Sequence, residues 1–295
     1  MARLTVAKTY KLYIGGAFPR SESGRTYQVH DQKGTLMANA ALASRKDARN
    51  AVVAARSGLA TWAGATPYNR GQVLYRIAEM LEARRPELVD LIVRSRGVTP
   101  AQARTEVDAS VDRVVHYAGW TDKLAAVFGS ANAVSGPYFS YSAPEPTGVV
   151  AIAADGSSAL LPLVSQLLPV LAGGNTAVVV ASHDDPTVAV TLAEALATSD
   201  VPAGVVNLLT GSAAEIMPWL ASHADVNGLD LTGVTGEART ELERSAADTV
   251  KRVHAPRRTP DFTATPGTAR LRAFLETKTV WHPVGAVSLA GGSAY

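Results

Sequence analysis

From Gly148 onward the chain alternates short, wholly apolar runs with longer helical patterns. Val149 to Ala153 and Thr176 to Ala181 read as strands; Ser158 to Ala172 reads as the helix between them, followed by Gly173-Gly174-Asn175. The rhythm continues with Pro186 to Thr198 as helix, Val205 to Leu209 as strand, Ala213 to Ser222 as helix, Gly228 to Leu231 as strand and Gly236 to Ala247 as helix. Strands that are apolar throughout, rather than every second residue, belong to a parallel sheet covered on both faces. The expected fold is therefore α/β, a Rossmann-like parallel sheet with flanking helices.

Before that point the periods differ. Residues 10–43 read as short strands and turns, a hairpin punctuated by Gly15-Gly16 and Gly34. Ser44 with Asp47 marks a helix start, after which Ala48, Val52, Ala55, Leu59 and Trp62 recur at helical spacing. Thr66-Pro67 opens a second helix with Val73, Leu74, Ile77, Met80 and Leu81 on its apolar side, and another begins near Pro86. Val107, Val111, Val114, Val115, Ala118 and Leu124 form a further long helix ending near Gly129. After Val253 the rhythm stops. Residues 254–270 hold Pro256, Pro260 and Pro266 in a polar setting and read as a linker, and Leu271 to Val280 reads as one long exposed strand.

Composition narrows the function. A hydrophobic share of 47%, a charged share of 18% and a net charge of +2 are those of an ordinary globular protein. The basic residues are scattered rather than striped, so no nucleic-acid partner is expected. The apolar run Leu160 to Ala172 is broken by Pro162, Gln166 and Pro169 and is too short to span a bilayer; neither a membrane anchor nor a secretory signal is read, and a cytoplasmic location is the default. The chain contains no cysteine, which excludes disulfides and thiolate chemistry.

Candidate chemistry is sparse. Glycines at 173, 174 and 211 read as helix ends or tight turns before phosphate cradles. Asp155-Gly156-Ser157-Ser158 lacks the glycines of a nucleophile elbow. Of the six histidines only His183-Asp184-Asp185 sits beside carboxylates, and that trio reads as a solvated helix cap before Pro186; no metal site is expected. Trp62, Trp120 and Trp219 read as core or interface residues, and Trp281 as an interface anchor.

Several segments resemble the NAD(P)-dependent aldehyde dehydrogenase family: Pro146 to Val150 (PTGVV), Gly173 to Val180 (GGNTAVVV), Gly228 to Arg239 (GLDLTGVTGEAR), Tyr10 to Gly16 (YKLYIGG), Ala41 to Ala55 and Thr277 to Trp281 (TKTVW). The resemblance implies a cofactor-type α/β domain and an oligomerisation element built from a hairpin and the C-terminal strand. It also locates departures. Ala247 to Val253 matches the approach to the family's Glu-Leu-Gly-Gly general-base motif, but His254-Ala255-Pro256 stands where the motif would come. The catalytic domain, with its cysteine nucleophile, has no counterpart between there and the C-terminal strand. Asp155 to Ala159 stands for the family's Pro-Trp-Asn-Phe-Pro, with Ser157 in place of the asparagine that supports the oxyanion. Val180-Ala181-Ser182-His183 replaces the Lys-Pro-Ser-Glu that holds the adenosine ribose, and Leu231 to Thr235 replaces Phe-Thr-Gly-Ser-Thr beneath the pyrophosphate.

The resemblance thus implies residual, degenerate cofactor contacts at Ser182, Gly211, Thr232 and Gly233, no catalytic residues, and NAD or NADP held weakly or not at all. It divides the chain into residues 1–135 (strands and helices of the cofactor-type domain), 136–147 (an oligomerisation strand), 148–253 (the Rossmann-like region), 254–270 (a linker in place of the catalytic domain) and 271–295 (the C-terminal oligomerisation strand and tail). Tyr138 to Ala143 and Leu271 to Trp281 would carry assembly, with a second copy or with a full-length aldehyde dehydrogenase subunit. The expected function is a non-catalytic subunit. The alternatives are an oxidoreductase completed by a partner, a hydrolase using Ser157 or Ser158, and a nucleotide-binding sensor.

Overall fold

The computed structural model describes residues 7–284. In chain order the elements are β1 (Thr9–Tyr10), β2 (Thr26–His30), β3 (Leu36–Ala41), α1 (Arg45–Gly64), α2 (Pro67–Ala83), α3 (Arg85–Arg96), α4 (Pro100–Ala118) and α5 (Leu124–Phe128). They continue with β4 (Ser130–Asn132), β5 (Tyr138–Pro146), β6 (Val149–Ala153), α6 (Leu161–Ala172), β7 (Thr176–Val180), α7 (Pro186–Ala197), β8 (Val206–Leu209) and α8 (Ala213–Ser222). β9 (Gly228–Asp230), α9 (Gly236–Ala247), β10 (Arg252–His254), α10 (Ala269–Ala273) and β11 (Leu275–Pro283) complete the chain.

The main sheet has five parallel strands in the order β10-β9-β6-β7-β8. Its strands are apolar throughout because successive residues serve two different cores. Val150, Ile152, Ala177 and Val179 join one core with α2, α4, α6 and α7, whereas Val149, Ala151, Ala153, Val178 and Val180 join the other with α1, α8 and α9. α6 is buried along its whole length, between the sheet and α2 and α4. Each fully buried Leu, Ile or Val on these faces contributes about 1.5–3 kcal/mol. The first core also takes in Tyr10, Val29 and Ala40 of the N-terminal sheet, so residues 7–135 and 148–253 share one interior.

Helix starts follow their caps. Ser44 and Asp47 exchange hydrogen bonds in a full capping box, Thr66 accepts from Asn69 ahead of Pro67, and Thr99 pairs with Gln102. The long helix expected to run to Gly129 is interrupted at Gly119 and resumes as α5, and Val115 faces solvent. α6 begins at Leu161 rather than Ser158, where Glu106 Oε1 accepts from the backbone N–H groups of Leu160 (2.7 Å) and Leu161 (3.2 Å).

The segment after Val253 differs from its sequence reading in three ways. His254 is not linker: it closes β10, an added fifth strand pairing Arg252 with Gly228 and His254 with Asp230. Leu271 to Ala273 form a helical turn, not strand, with Leu271, Phe274 and Leu275 buried. The strand that follows is not unpaired: β11 runs antiparallel to β5 of the same chain from Leu275↔Pro146 to Pro283↔Tyr138, in a small sheet ordered β11-β5-β4. Among the described residues no strand pairs with its far edge. Residues 285–295 of the expected tail lie outside the described residues.

Candidate functional site

Strand order reverses between β6 and β9, and in open α/β sheets ligands bind beyond the carboxyl ends of the strands at such a switch point. The loops there are 154–160, 181–185, 210–212 and 231–235. Gln166 of α6 bridges the two strand ends. Its Nε2 donates to Ala153 O (3.0 Å) and to Asp230 Oδ1 (3.2 Å), while its Oε1 accepts from the Asp155 N–H (2.7 Å).

Asp230 organises the larger cluster. It is 1% exposed and accepts from the Thr232 N–H (3.0 Å), the Thr232 hydroxyl and Arg270, whose Nη1 lies 2.8 Å from Oδ2. Arg270 also donates to Thr232 Oγ1 (2.9 Å). His254 lies beside this group, and burial pushes its pKa below the ordinary value; Arg270 and Arg239 push the same way and Asp230 opposes them. Gln166, Asp230, His254, Arg270 and Phe274 close around a gap with no room for a water molecule. Segment 255–268 is held on either side of this cluster by two more arginines. Arg113 donates to Phe262 O (2.6 Å) and Ala264 O (3.0 Å), and Arg239 donates to Pro256 O (2.7 Å) and Ala255 O.

The four sequence-named contacts lie in these loops but are largely committed elsewhere. Thr232 spends its hydroxyl on Asp230 and Arg270. Gly233 packs so closely that an added Cβ would fall 2.2 Å from Ala154 O. Gly211 has φ +130 and backs onto Leu42 and Ala43, a packing requirement. Ser182 lies against Gly156, where a Cβ would meet its Oγ at 3.0 Å. Val180 is buried in the core at 1% exposure and carries no group for a ribose hydroxyl. The Ser157 hydroxyl donates to Asp155, and no histidine bonds to it. Asp185 is not solvated: it is 1% exposed and paired with Arg96, whose Nε donates to Oδ1 at 2.9 Å. Burial raises the Asp185 pKa despite that arginine. His183 stacks instead on Tyr27, ring centroids 4.5 Å apart. The Asp230–Arg270 and Asp185–Arg96 pairs had no signal in the sequence, since each joins residues far apart in the chain. Among the described residues no group of three or more His, Cys, Asp or Glu side chains is placed to hold a metal ion, and no helix is long and apolar enough to cross a membrane.

The family model described as aldehyde dehydrogenase family matches residues 18–256. The chain belongs to the aldehyde dehydrogenase family. Among aldehyde dehydrogenase relatives, it is 30% identical over 256 residues to the cytosolic 10-formyltetrahydrofolate dehydrogenase of Mus musculus, covering 85% of this chain and 28% of that protein. It is 29% identical over 242 residues to the D-glyceraldehyde dehydrogenase (NADP(+)) of Thermoplasma acidophilum, covering 82% of this chain and 49% of that one. The NAD-dependent aldehyde dehydrogenase of Sinorhizobium meliloti superposes with a TM-score of 0.78 at 25% identity, over 84% of this chain and 50% of that one. The betaine aldehyde dehydrogenase of Staphylococcus aureus, solved in complex with NAD+, gives 0.77 at 23% identity over 83% and 49%, a likeness of fold. This aldehyde dehydrogenase family chain thus spans about half the length of these relatives, or less.

Proposed function

We propose that this chain is a non-catalytic aldehyde dehydrogenase-like subunit, which assembles with a second copy or with a full-length aldehyde dehydrogenase. The absence of any cysteine from the 295 residues carries this reading, because the family's chemistry begins with a thiolate attacking the aldehyde. The Asp155–Ser157 turn supplies no replacement nucleophile–base pair. Where a catalytic domain would be inserted, residues 255–268 run directly from β10 to α10, pinned by Arg113 and Arg239.

NAD or NADP binding is weak at best in this proposal. Val180 lacks a ribose-holding group and the Thr232 hydroxyl is committed, so only backbone around Gly233 and the α9 N-terminus would face a pyrophosphate. The β5–β11 pair supports assembly. It ends in Tyr138, Phe139 and Trp281, which are 44%, 50% and 57% exposed, and among the described residues no further strand pairs with β11 on its outer side, where another chain could add one. The test is turnover. The purified chain is incubated with NAD, NADP and a panel of aldehydes, and no aldehyde-dependent reduction is expected; sustained reduction would overturn the proposal.

A further inference from the structure

The N-terminal sheet carries a feature that neither the sheet switch point nor the assembly strands explain. β1 pairs Thr9 with Asn39 of β3, and β2 pairs Thr26 with Ala41. Tyr10, Ala38 and Ala40, the alternate residues, face the core, which leaves Thr9, Asn39 and Thr26 on the outer face. Lys11, Arg20 and Arg25 line the same face around a hollow of about 300 Å³. Among the described residues, none of these three cations forms a salt bridge or a side-chain hydrogen bond, in contrast to Lys8, Lys46, Arg96 and Arg270.

No carboxylate lines this hollow, whereas the hollows beside α2, at the α3–β7 loop and beneath β5 each include an Asp or Glu. The two acids on or bonded to the Ser21–Gly24 turn at its rim are already engaged. Asp47 accepts from Ser21 Oγ (2.7 Å), Ser44 N (2.8 Å) and Glu22 N (3.1 Å), and Glu22 pairs with Lys46 at 3.0 Å. The same bonds hold the Ser21–Gly24 turn, which is closed by Gly24 N donating to Ser21 O at 2.9 Å, so the backbone bearing Arg20 and Arg25 is fixed in advance. The chain as a whole is nearly balanced, 28 basic against 26 acidic side chains, whereas this lining holds three basic residues and no acidic one, so the patch is local rather than a reflection of general basicity.

We propose that this hollow binds a small phosphorylated molecule. Two guanidinium groups match phosphate oxygens in paired hydrogen bonds, Lys11 adds a point charge, and the Thr9, Thr26 and Asn39 side chains supply neutral donors. The volume is at the small end of ligand sites and suits a sugar bisphosphate or a diphosphate, not a polymer. The site uses none of the residues on which catalytic loss or assembly rests.

The test is calorimetric titration of the full chain with pyrophosphate, with a sugar bisphosphate and with sulfate. Saturable submillimolar binding of a phosphate ligand is expected, weakened about tenfold or more in an Arg20→Ala/Arg25→Ala variant whose melting temperature is unchanged. Tighter binding of the sugar bisphosphate identifies an organic phosphate, and equal or tighter binding of pyrophosphate identifies an inorganic one. No saturable heat, sulfate binding as tight as either phosphate, or equal weakening in an Arg258→Ala control outside the hollow would overturn the proposal.

Discussion

Arg270 donates to the Asp230 carboxylate at 2.8 Å across forty residues of chain, joining the end of β9 to the helical turn before β11. The Asp230 side chain is 1% exposed and that of Arg270 14%, so neither charge is satisfied by water. Removing one partner leaves the other buried and unpaired. Arg270→Ala is expected to cost about 3 kcal/mol in urea denaturation. The double variant Asp230→Ser/Arg270→Leu should cost less than the sum of its single changes, which a double-mutant cycle reads directly.

Acid should destabilise the protein through two histidines. Burial lowers the pKa of His116 below 6.5, with Arg113 adding to the effect, and burial likewise lowers His254. The folded state therefore favours the neutral rings and the unfolded state takes up protons first. That stability is fully present above pH 6.5 and is lost as pH falls through the lowered folded values. Asp185 works in the opposite sense and lower, in the carboxylate range, because burial raises its pKa. Urea midpoints measured from pH 7.5 down to about 5 should decline, and His116→Gln/His254→Gln should flatten the decline.

Val250 has φ +53 and is 91% exposed. It occupies the left-handed position after α9, where Val250 N donates to Ala247 O and Lys251 N to Ala246 O, each at 3.1 Å. A β-branched residue is strained there and has no packing to offset it. Val250→Gly should stabilise the chain by about 0.5–1 kcal/mol, the strain relieved less the backbone entropy of glycine, seen as a higher thermal midpoint.

Trp281 meets Tyr138 edge-on, ring centroids 6.0 Å apart, at the exposed end of the β5–β11 pair. If this end anchors assembly, Trp281→Ser should weaken association by about 2 kcal/mol or more, and sedimentation would show smaller species. The melting temperature of the separated chain should change little, since the ring is 57% exposed within it.

Elements whose signal is local were legible in the sequence. Ser44 with Asp47, Thr66 before Pro67 and the unbroken run Val149 to Ala153 each carry their own hydrogen-bonding or burial logic within a few residues. β10 was not legible, because a three-residue edge strand of Arg, Val and His has no apolar run to betray it. Leu271 and Phe274 read as strand from propensity, and tertiary packing against α6 makes a helical turn there instead. At the candidate site the loops were found and their commitments were not. Asp185 reads as a solvated cap until Arg96, 89 residues earlier, is brought beside it.

The mass of the complex isolated from its own source tests the central claim most directly. The account predicts the chain within a larger species, either a multiple of itself or joined to a full-length aldehyde dehydrogenase subunit. Recovery of the chain only as a lone monomer would contradict it.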